Sequence, residues 1–262
     1  MKKYDKNMEE AKQLSAHVVA WNHLSHLGPL LESLDRQTWR DFQLVVVDNA
    51  ATDNVDKKIE ERPNVVRLRN FRNLGFARAH NQAMAFALTR WSPESLDRRF
   101  VALLAPDVVL APDCLERLVA VLQKDSTLMV AGPKLFLAER HFSSEAGDEE
   151  ASVAATDILV STGMQLTKSR RIKERGRGER DQHAYDDQHD IFGFDLGCVV
   201  IRASALKEAE FEGEWLDQGL HEGQEIADLM WRLRLLGATA TFVPEAVAWI
   251  MPSSKKRIMY TW

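Results

Sequence analysis

Short apolar runs alternate with helical segments through the first half of the chain, and this alternation constrains the fold more than any other feature. The strand-like runs are residues 17–21, 44–47, 65–68, 100–104 and 128–131. Apolar residues at helical spacing lie between several of them, for example Leu27, Leu30, Leu31 and Leu34. The run Val45-Val46-Val47 is β-branched and ends at Asp48, as in a central parallel strand. Repeated β–α units predict an α/β fold with a mostly parallel central sheet flanked by helices.

The second half of the chain is less regular. Residues 138–156 are polar and acidic, and we expect a mobile loop there. Residues 168–190 carry a basic run followed by an acidic run and almost no apolar residue, which also predicts a mobile loop. Apolar residues from Ile226 to Leu236 predict an amphipathic helix that ends at Gly237. Two short strands, 239–243 and 246–250, are expected on either side of Pro244.

Composition places the chain among ordinary globular proteins. It has 262 residues, a formal net charge of -5 and 28% charged residues, so intrinsic disorder is excluded and no basic footprint for nucleic acid is visible. We expect a single domain at 14–250, in two halves at 14–135 and 157–250. Residues 1–13 and 251–262 are expected to be tails.

The two cysteines, Cys114 and Cys198, lie in apolar stretches and are expected to be buried free thiols of a reducing compartment. The N-terminal residues include no apolar leader, and no apolar run is long enough to span a membrane. These features favour a cytoplasmic protein, with contact at the inner face of the membrane left open.

Polar residues at the ends of predicted strands are the candidate site. In a parallel α/β sheet, ligands bind beyond the carboxyl ends of the strands. Three ends carry polar side chains: Ala20-Trp21-Asn22, Asp48-Asn49 and Ala105-Pro106-Asp107. Taken singly, Asp48 is equally explained as a helix cap, and Asp107 as a turn residue or as a ligand of a divalent cation.

Several motifs in order resemble the inverting family 2 glycosyltransferases, with the closest likeness to the rhamnosyltransferase-like branch. They are VVVDNAATD at 45–53, RNLGFAR at 72–78 with Asn81, LLAPDV at 103–108, GPKL at 132–135, STG at 161–163, DLMWR at 228–232 and VPEAV at 243–247. The likeness covers roughly residues 15–250. It implies a GT-A fold, a Rossmann-like α/β architecture that binds a nucleotide-activated sugar.

The resemblance also implies roles for individual residues. The nucleotide-sugar-binding candidates are Ala20, Trp21, Asn22, Asp48, Asn49, Arg72, Asn73 and Asp107. Asp107 would also hold Mg²⁺ or Mn²⁺ against the donor diphosphate, where the metal neutralises the leaving group. A carboxylate at the start of the late helix would deprotonate the acceptor hydroxyl.

The chain departs from this pattern at the positions that matter for catalysis. Ala105 stands where the branch has Asn, Ile226 stands where the family has its base, and the late His is replaced near Ile250. Glu225 and Asp228 are the candidate substitutes for the base. An i,i+4 ion pair with Arg232 is the structural alternative for Asp228, and a helix-start role is the alternative for Glu225. His221 and Glu222 are further candidates for a ligand or base.

Two functional hypotheses follow. The first is inverting transfer of a sugar from a nucleoside diphosphate donor to a glycan or lipid-linked acceptor, in cell-surface polysaccharide synthesis. The second is a catalytically silent GT-A domain that binds a nucleotide or a partner transferase. A homo-oligomer stays open as well. A nicotinamide-dependent oxidoreductase is disfavoured because no GxGxxG follows the first strand.

Overall fold

The structure is a computed structural model that describes residues 12–60, 62, 65–142, 151–195, 197–220 and 223–251. The strands are β1 (Leu14–Ala20), β2 (Phe42–Asp48), β3 (Val65–Arg69), β4 (Phe100–Leu104), β5 (Val108–Leu110), β6 (Leu128–Phe142), β7 (Ala151–Ser161), β8 (Met164–Leu166), β9 (Ile172–Glu174), β10 (Asp190–Ile191), β11 (Cys198–Arg202) and β12 (Thr239–Ile250). The α-helices are α1 (Leu24–Asp35), α2 (Val55–Glu60), α3 (Phe76–Leu88), α4 (Cys114–Lys124), α5 (Ala203–Ala209) and α6 (Gln224–Leu235).

One large sheet organises these elements. Its strands lie in the order β10-β12-β6-β11-β4-β1-β2-β3, with β5 paired to β12 and β7 paired to β6. The strands β4, β1, β2 and β3 are parallel, whereas β11 runs antiparallel to both β4 and β6. β12 is parallel to β6. The α/β architecture is therefore confirmed, and its parallel part is the first half of the chain.

The apolar periodicity explains which faces are buried. In α1 the residues Leu27, Leu30, Leu31 and Leu34 lie on one face and pack in the main core cluster with β1, β4 and α4. A second cluster on the other side of the sheet joins α3, α5 and α6 to β4 and β11. Within the described residues, no helix has the length and apolar character needed to cross a membrane.

The two cysteines meet inside the main cluster. Cys114 begins α4 and Cys198 begins β11, and both side chains are buried free thiols, as predicted. A hydrogen bond with Cys198, together with burial, raises the pKa of the Cys114 thiol well above its usual value. Cys114 therefore packs as an uncharged thiol against Cys198, between α4 and the sheet.

Several predicted boundaries were wrong. The expected loop at 138–156 contains the end of β6 and the first residues of β7, which pair as an antiparallel hairpin, while residues 143–150 lie outside the described residues. The strands expected around Pro244 form the single strand β12, with a register shift between Val243 and Val247. The tails at 1–13 and 251–262 fall largely outside the described residues, namely at 1–11 and 252–262.

The charge-dense segment 168–190 has more ordered contacts than its composition predicts. It contains β9 and the start of β10, and its backbone bonds to β7 through Leu159 N to Glu179 O (2.8 Å) and Gly178 N to Leu159 O (2.8 Å). The guanidinium of Arg175 is buried between the rings of Tyr185 and Phe242 and donates to Thr162 O at 2.9 Å. The expected mobility of this segment stays a prediction, and these contacts are what any motion would have to break.

Candidate active site

The parallel strands bring the predicted site residues to one edge of the sheet. Ala20 is in register with Asp48, Asp48 with Arg69, and Val18 with Leu104. The segments that follow β1, β2, β3 and β4 therefore leave the sheet side by side. These segments hold Trp21 and Asn22, Asn49, Arg72 and Asn73, and Asp107.

Asp48 lies at this edge with 2% of its side chain exposed. Its Oδ2 accepts from Arg67 Nη2 at 2.9 Å and lies 3.7 Å from Arg69 Nε, while its Oδ1 accepts from Ala51 N at 3.0 Å. The carboxylate thus anchors the loop after β2 through Ala51 and neutralises the positive charge of Arg67 on β3. Arg67 was not singled out from the sequence, although its two-residue spacing from Arg69 places both on one face of a strand.

Asn49 organises the neighbouring loop rather than facing solvent. Its Oδ1 accepts from Asn70 Nδ2 (3.0 Å) and Leu74 N (3.1 Å), and its Nδ2 donates to Asn73 Oδ1 at 2.8 Å. Asn70 in turn exchanges two amide hydrogen bonds with Gln82 of α3. The side chains of Asn49 and Asn70 are buried. This amide network fixes the 70–75 loop, and sequence reasoning missed Asn70 and Gln82 because no spacing rule predicts amide pairing.

The residues after β1 differ in what they offer a ligand. Ala20 is buried, and its carbonyl accepts from Asn49 N at 2.9 Å. Asn22 has a positive φ of 54° and accepts from Thr52 N at 2.8 Å, so it ties the β1 and β2 loops together. Trp21 is 43% exposed and Arg72 is exposed. Of this group, the side chains of Trp21, Asn22 and Arg72 are exposed, and the Asn22 oxygen is already engaged by Thr52 N.

Asp107 lies between β4 and β5 and is 8% exposed. Its carbonyl accepts from Met251 N at 2.9 Å, and Ile250 pairs with Val108. The position where the family's late His was expected is therefore next to Asp107, and buried apolar side chains occupy it. A carboxylate beside the apolar residues Ile250 and Met251 fits a divalent cation that takes most of its ligands from a diphosphate.

A second group of possible metal ligands lies in the charged segment. The ligand atoms of Asp181, His183 and Asp186 lie within 4.8 Å of one another. However, the ammonium of Lys134, whose side chain is 4% exposed, is 2.8 Å from Asp181 and 2.6 Å from Asp186. Because this ammonium already supplies the positive charge, the group fits a cation only if Lys134 moves away.

The start of α6 carries the two catalytic candidates, Glu225 and Asp228, with Ile226 between them. Ile226 is fully buried in the second core cluster, Glu225 is 3% exposed, and Asp228 binds Arg232 Nε at 2.8 Å. Arg232 also donates to the carbonyls of Ala209 and Trp215. The side chain of Asp228 is thus engaged in the i,i+4 pair considered as its structural alternative. His221 and Glu222 lie outside the described residues.

α6 packs against the segment that precedes β11, and α3 holds the segment that precedes α6. A Cβ on Gly193 would lie 2.6 Å from Met230 Cγ, so the segment before β11 lies directly against α6. Asn81 of α3 holds the segment before α6 by donating to Leu216 O at 2.8 Å and accepting from Leu216 N at 2.9 Å. These contacts belong to the second core cluster, in which apolar side chains of α6 pack with those of β4 and β11.

A family model described as glycosyl transferase family 2 matches residues 15–209. The chain belongs to this family. All eight nucleotide-sugar-binding candidates lie inside the matched range, whereas Glu225 and Asp228 lie beyond it. No curated protein matches the family 2 chain in a sequence search.

Solved glycosyltransferases share the fold of this family 2 member. Residues 1–349 of TarS from S. aureus, in complex with UDP, give a TM-score of 0.60 at 16% identity, covering 92% of this chain and 61% of that one. GalNAc-T7 with UDP, GalNAc and Mn²⁺ gives a TM-score of 0.61 at 17% identity, covering 95% of this chain and 45% of that one. The chain therefore spans only part of these neighbours. The likeness confirms the predicted GT-A fold, while the rhamnosyltransferase-like branch stays a prediction.

Proposed function

We propose that this family 2 domain transfers a sugar, with inversion, from a nucleoside diphosphate donor to a hydroxyl of a glycan or lipid-linked acceptor. The observation that carries the proposal is the family match over residues 15–209, which includes every candidate on the nucleotide side. A role in cell-surface polysaccharide synthesis and a location in the cytoplasm, at or near the membrane, belong to the same proposal. The solved neighbours were found with UDP, which supports a uridine nucleotide as the first donor to test.

The donor would lie across the carboxyl edge of the sheet. Trp21 and Arg72 offer an exposed ring and an exposed guanidinium there, suited to a base and to phosphate oxygens. Asp48, Asn49 and Asn73 hold the loops that carry them, since their polar atoms bond mainly within those loops. Ala20 contributes backbone only. This division makes Trp21 and Arg72 the predicted contact residues and the others mainly positioning residues.

Asp107 is the residue that would hold Mg²⁺ or Mn²⁺. A bound metal would neutralise charge on the departing diphosphate. Because the described surroundings of Asp107 include Ile250 and Met251, the protein supplies few ligands and the diphosphate must supply others. We therefore expect weak metal binding without nucleotide and stronger binding with it.

Glu225 is our candidate for the group that takes the acceptor proton. It stands in the first turn of α6, where the helix dipole stabilises a negative charge. Asp228 fits the role less well because Arg232 holds its carboxylate. Deprotonation would raise the nucleophilicity of the acceptor oxygen for in-line attack on the anomeric carbon.

A catalytically silent nucleotide-binding domain is the second candidate function, with a partner transferase or a second copy as its target. The apolar Ile226 and the apolar residues beside Asp107 favour it, because two groups expected in catalysis are replaced. In this case the donor site would persist while turnover would be absent.

Thermal-shift measurements with nucleoside diphosphates and nucleotide sugars, with and without Mn²⁺, test the proposal. We expect a nucleoside diphosphate to raise Tm and Mn²⁺ to increase that rise in the wild type but not in Asp107→Asn. Glu208→Gln, which changes an exposed carboxylate on α5, is the matched control. Failure of every nucleotide to shift Tm would contradict both candidate functions. Binding without donor hydrolysis or transfer to any acceptor would favour the silent domain.

A further inference from the structure

The arginines of this acidic chain are concentrated around β3 and α3. Residues 62–93 contain six arginines and no aspartate or glutamate, although the whole chain has a net charge of -5. Four of these arginines, Arg69, Arg72, Arg78 and Arg90, have exposed side chains. We call the exposed side chains of β3, the 70–75 loop and α3 the β3–α3 face.

Among the described residues, much of the positive charge on this face has no acidic partner. Arg72 and Arg78 make no ion pair or hydrogen bond with any described residue, and Arg69 is 60% exposed beside Asp48. An open groove of about 570 Å³ runs between β3 and α3. Its lining includes Arg67, Arg69, Gln82 and Phe86, and it contains no carboxylate. The face can therefore attract and accommodate anionic groups.

Phe71 projects from the middle of this charge. Its relative exposure is 103%, so its ring is entirely in water. The loop that carries it cannot readily fold back over the ring, because Asn49 holds Asn70, Asn73 and Leu74 by hydrogen bonds. Arg69 and Arg72 lie on either side of this exposed ring in the sequence. An aromatic ring among positive charges is suited to a surface that is anionic outside and apolar just beneath.

We propose that the β3–α3 face docks on an anionic lipid bilayer, with Phe71 entering the headgroup region and Arg69 and Arg78 pairing with lipid phosphates. Charge complementarity selects the anionic surface, and the bare ring selects a bilayer over a soluble polyanion, which has no apolar layer to bury it. The proposal rests on charge and exposure, so it holds for the transferase and for the silent domain alike.

A second exposed phenylalanine provides a matched control. Phe211 is 68% exposed, but its neighbours Glu210, Glu212 and Glu214 are acidic. The two rings therefore differ mainly in the charge around them. If hydrophobic exposure alone caused vesicle binding, both rings would contribute.

Co-sedimentation of the full chain with vesicles tests the proposal, comparing phosphatidylcholine containing phosphatidylglycerol with phosphatidylcholine alone. We expect binding to the anionic vesicles only, weakening as salt is added. Phe71→Ser should lower the partition coefficient about tenfold, and Arg78→Gln about fivefold. Phe211→Ser should leave it unchanged. Because Phe71 and Arg78 are exposed, Tm should be the same in all variants.

Three results would overturn the proposal. One is the absence of binding to anionic vesicles, and another is equal loss of binding in Phe71→Ser and Phe211→Ser. The third is binding to heparin that matches vesicle binding and is insensitive to Phe71→Ser, which would indicate a soluble acidic polymer. Nucleotide-induced Tm shifts, measured on the same samples, report separately on the donor site.

Discussion

At position 48 one carboxylate is shared between two strands and the loop that follows. Asp48 binds Arg67, lies near Arg69 and accepts from the backbone of Ala51. The sequence showed that an acidic residue would end β2, but not that β3 would supply its counterions. Its role is therefore partly structural, and a substitution affects both the fold and the donor site.

We predict that Asp48→Ala lowers the free energy of unfolding by about 1–3 kcal/mol, because Arg67 and Arg69 lose the carboxylate between them. Nucleotide affinity should fall by a similar amount, since the loop at 49–52 loses its anchor. Urea unfolding and calorimetric titration measure the two effects. Asp41→Ala, which removes an exposed partner of Lys12, should change neither. Unchanged nucleotide affinity in folded Asp48→Ala would remove the residue from the site.

The start of α6 gives a second prediction at this scale. Glu225→Gln should lower turnover about 10²–10⁴-fold if Glu225 is the base. Asp228→Asn should have little effect on turnover, because Arg232 already holds that carboxylate. Steady-state transfer assays compare the two. Equal losses in both variants, or none in Glu225→Gln, would argue against Glu225.

Ile226 was expected to mark the position of a missing base, and restoring a carboxylate there is the obvious experiment. The structure changes the expected result, because Ile226 is buried among apolar side chains of the second core cluster. An ionised aspartate at this position lacks a partner, and we predict that Ile226→Asp lowers the free energy of unfolding by about 3–5 kcal/mol. Chemical denaturation measures this. A variant as stable as the wild type, with higher turnover, would show that the side chain can face the acceptor.

Among the elements, the segment 168–190 and its anchor on β6 illustrate what composition does not reveal. Its charge density predicted a mobile loop, yet Lys134 pairs with Asp181 and Asp186 while Arg175 is buried by stacking on Tyr185 and Phe242. The sequence contained both partners, but which lysine meets which aspartate depends on the tertiary fold. A short helix, α5, was not predicted for a related reason. Its seven residues are too few to show a helical period of apolar side chains.

We predict that Lys134→Met increases the rate of proteolytic cleavage within 168–190, because two carboxylates lose the ammonium that holds them to β6. Lys207→Met removes an exposed pair with Glu210 and should leave the rate unchanged. Limited proteolysis followed by mass spectrometry measures both. Saturating nucleotide should slow cleavage if the segment closes over a bound donor. Equal cleavage of Lys134→Met and wild type would show that the ion pairs do not restrain the segment.

For the whole molecule, two buried histidines make stability depend on pH. Burial lowers the pKa of His17 and of His80 to about 3, and His17 is lowered further by His80. Both are neutral in the folded protein, whereas in the unfolded chain they bind protons below about pH 6.5. The two histidines therefore do not reduce stability above about pH 6.5, and they reduce it progressively as the pH drops from about 6.5 to about 3.

Each histidine should contribute up to about 1.4 kcal/mol per pH unit to this fall. We predict that His80→Leu reduces the slope of the unfolding free energy between pH 6 and pH 4 by about that amount. Urea denaturation at several pH values measures the slope. Because the carboxylates are the same in both proteins, the difference isolates the histidine. Identical slopes would show that His80 is protonated without unfolding.

Elements that depend on residues close together in the sequence were predicted, whereas contacts between residues far apart in the sequence were not. β1, β2, β4 and α1 were found within a few residues because their patterns are local. The pairing of β6 with β7 was missed, since the stretch 138–156 shows no alternation of apolar and polar residues that would predict strands. That Asp48 and Asp107 follow the carboxyl ends of strands could be predicted from the sequence. The amide network of Asn49 and the pairing of Arg67 with Asp48 could not, because they depend on the tertiary fold.

The position of β12 has a consequence for how the chain is made. β12 is the last described strand, yet it lies inside the sheet, between β6 and β10, and it also pairs with β5. On the ribosome, β1 to β4 can assemble early from neighbouring segments, while β6 must wait with an open edge until residues 239–250 have emerged. Such an edge attracts other strands. Nascent chains of this protein are therefore expected to depend on chaperones during that interval, and products truncated before β12 should be cleared by proteases.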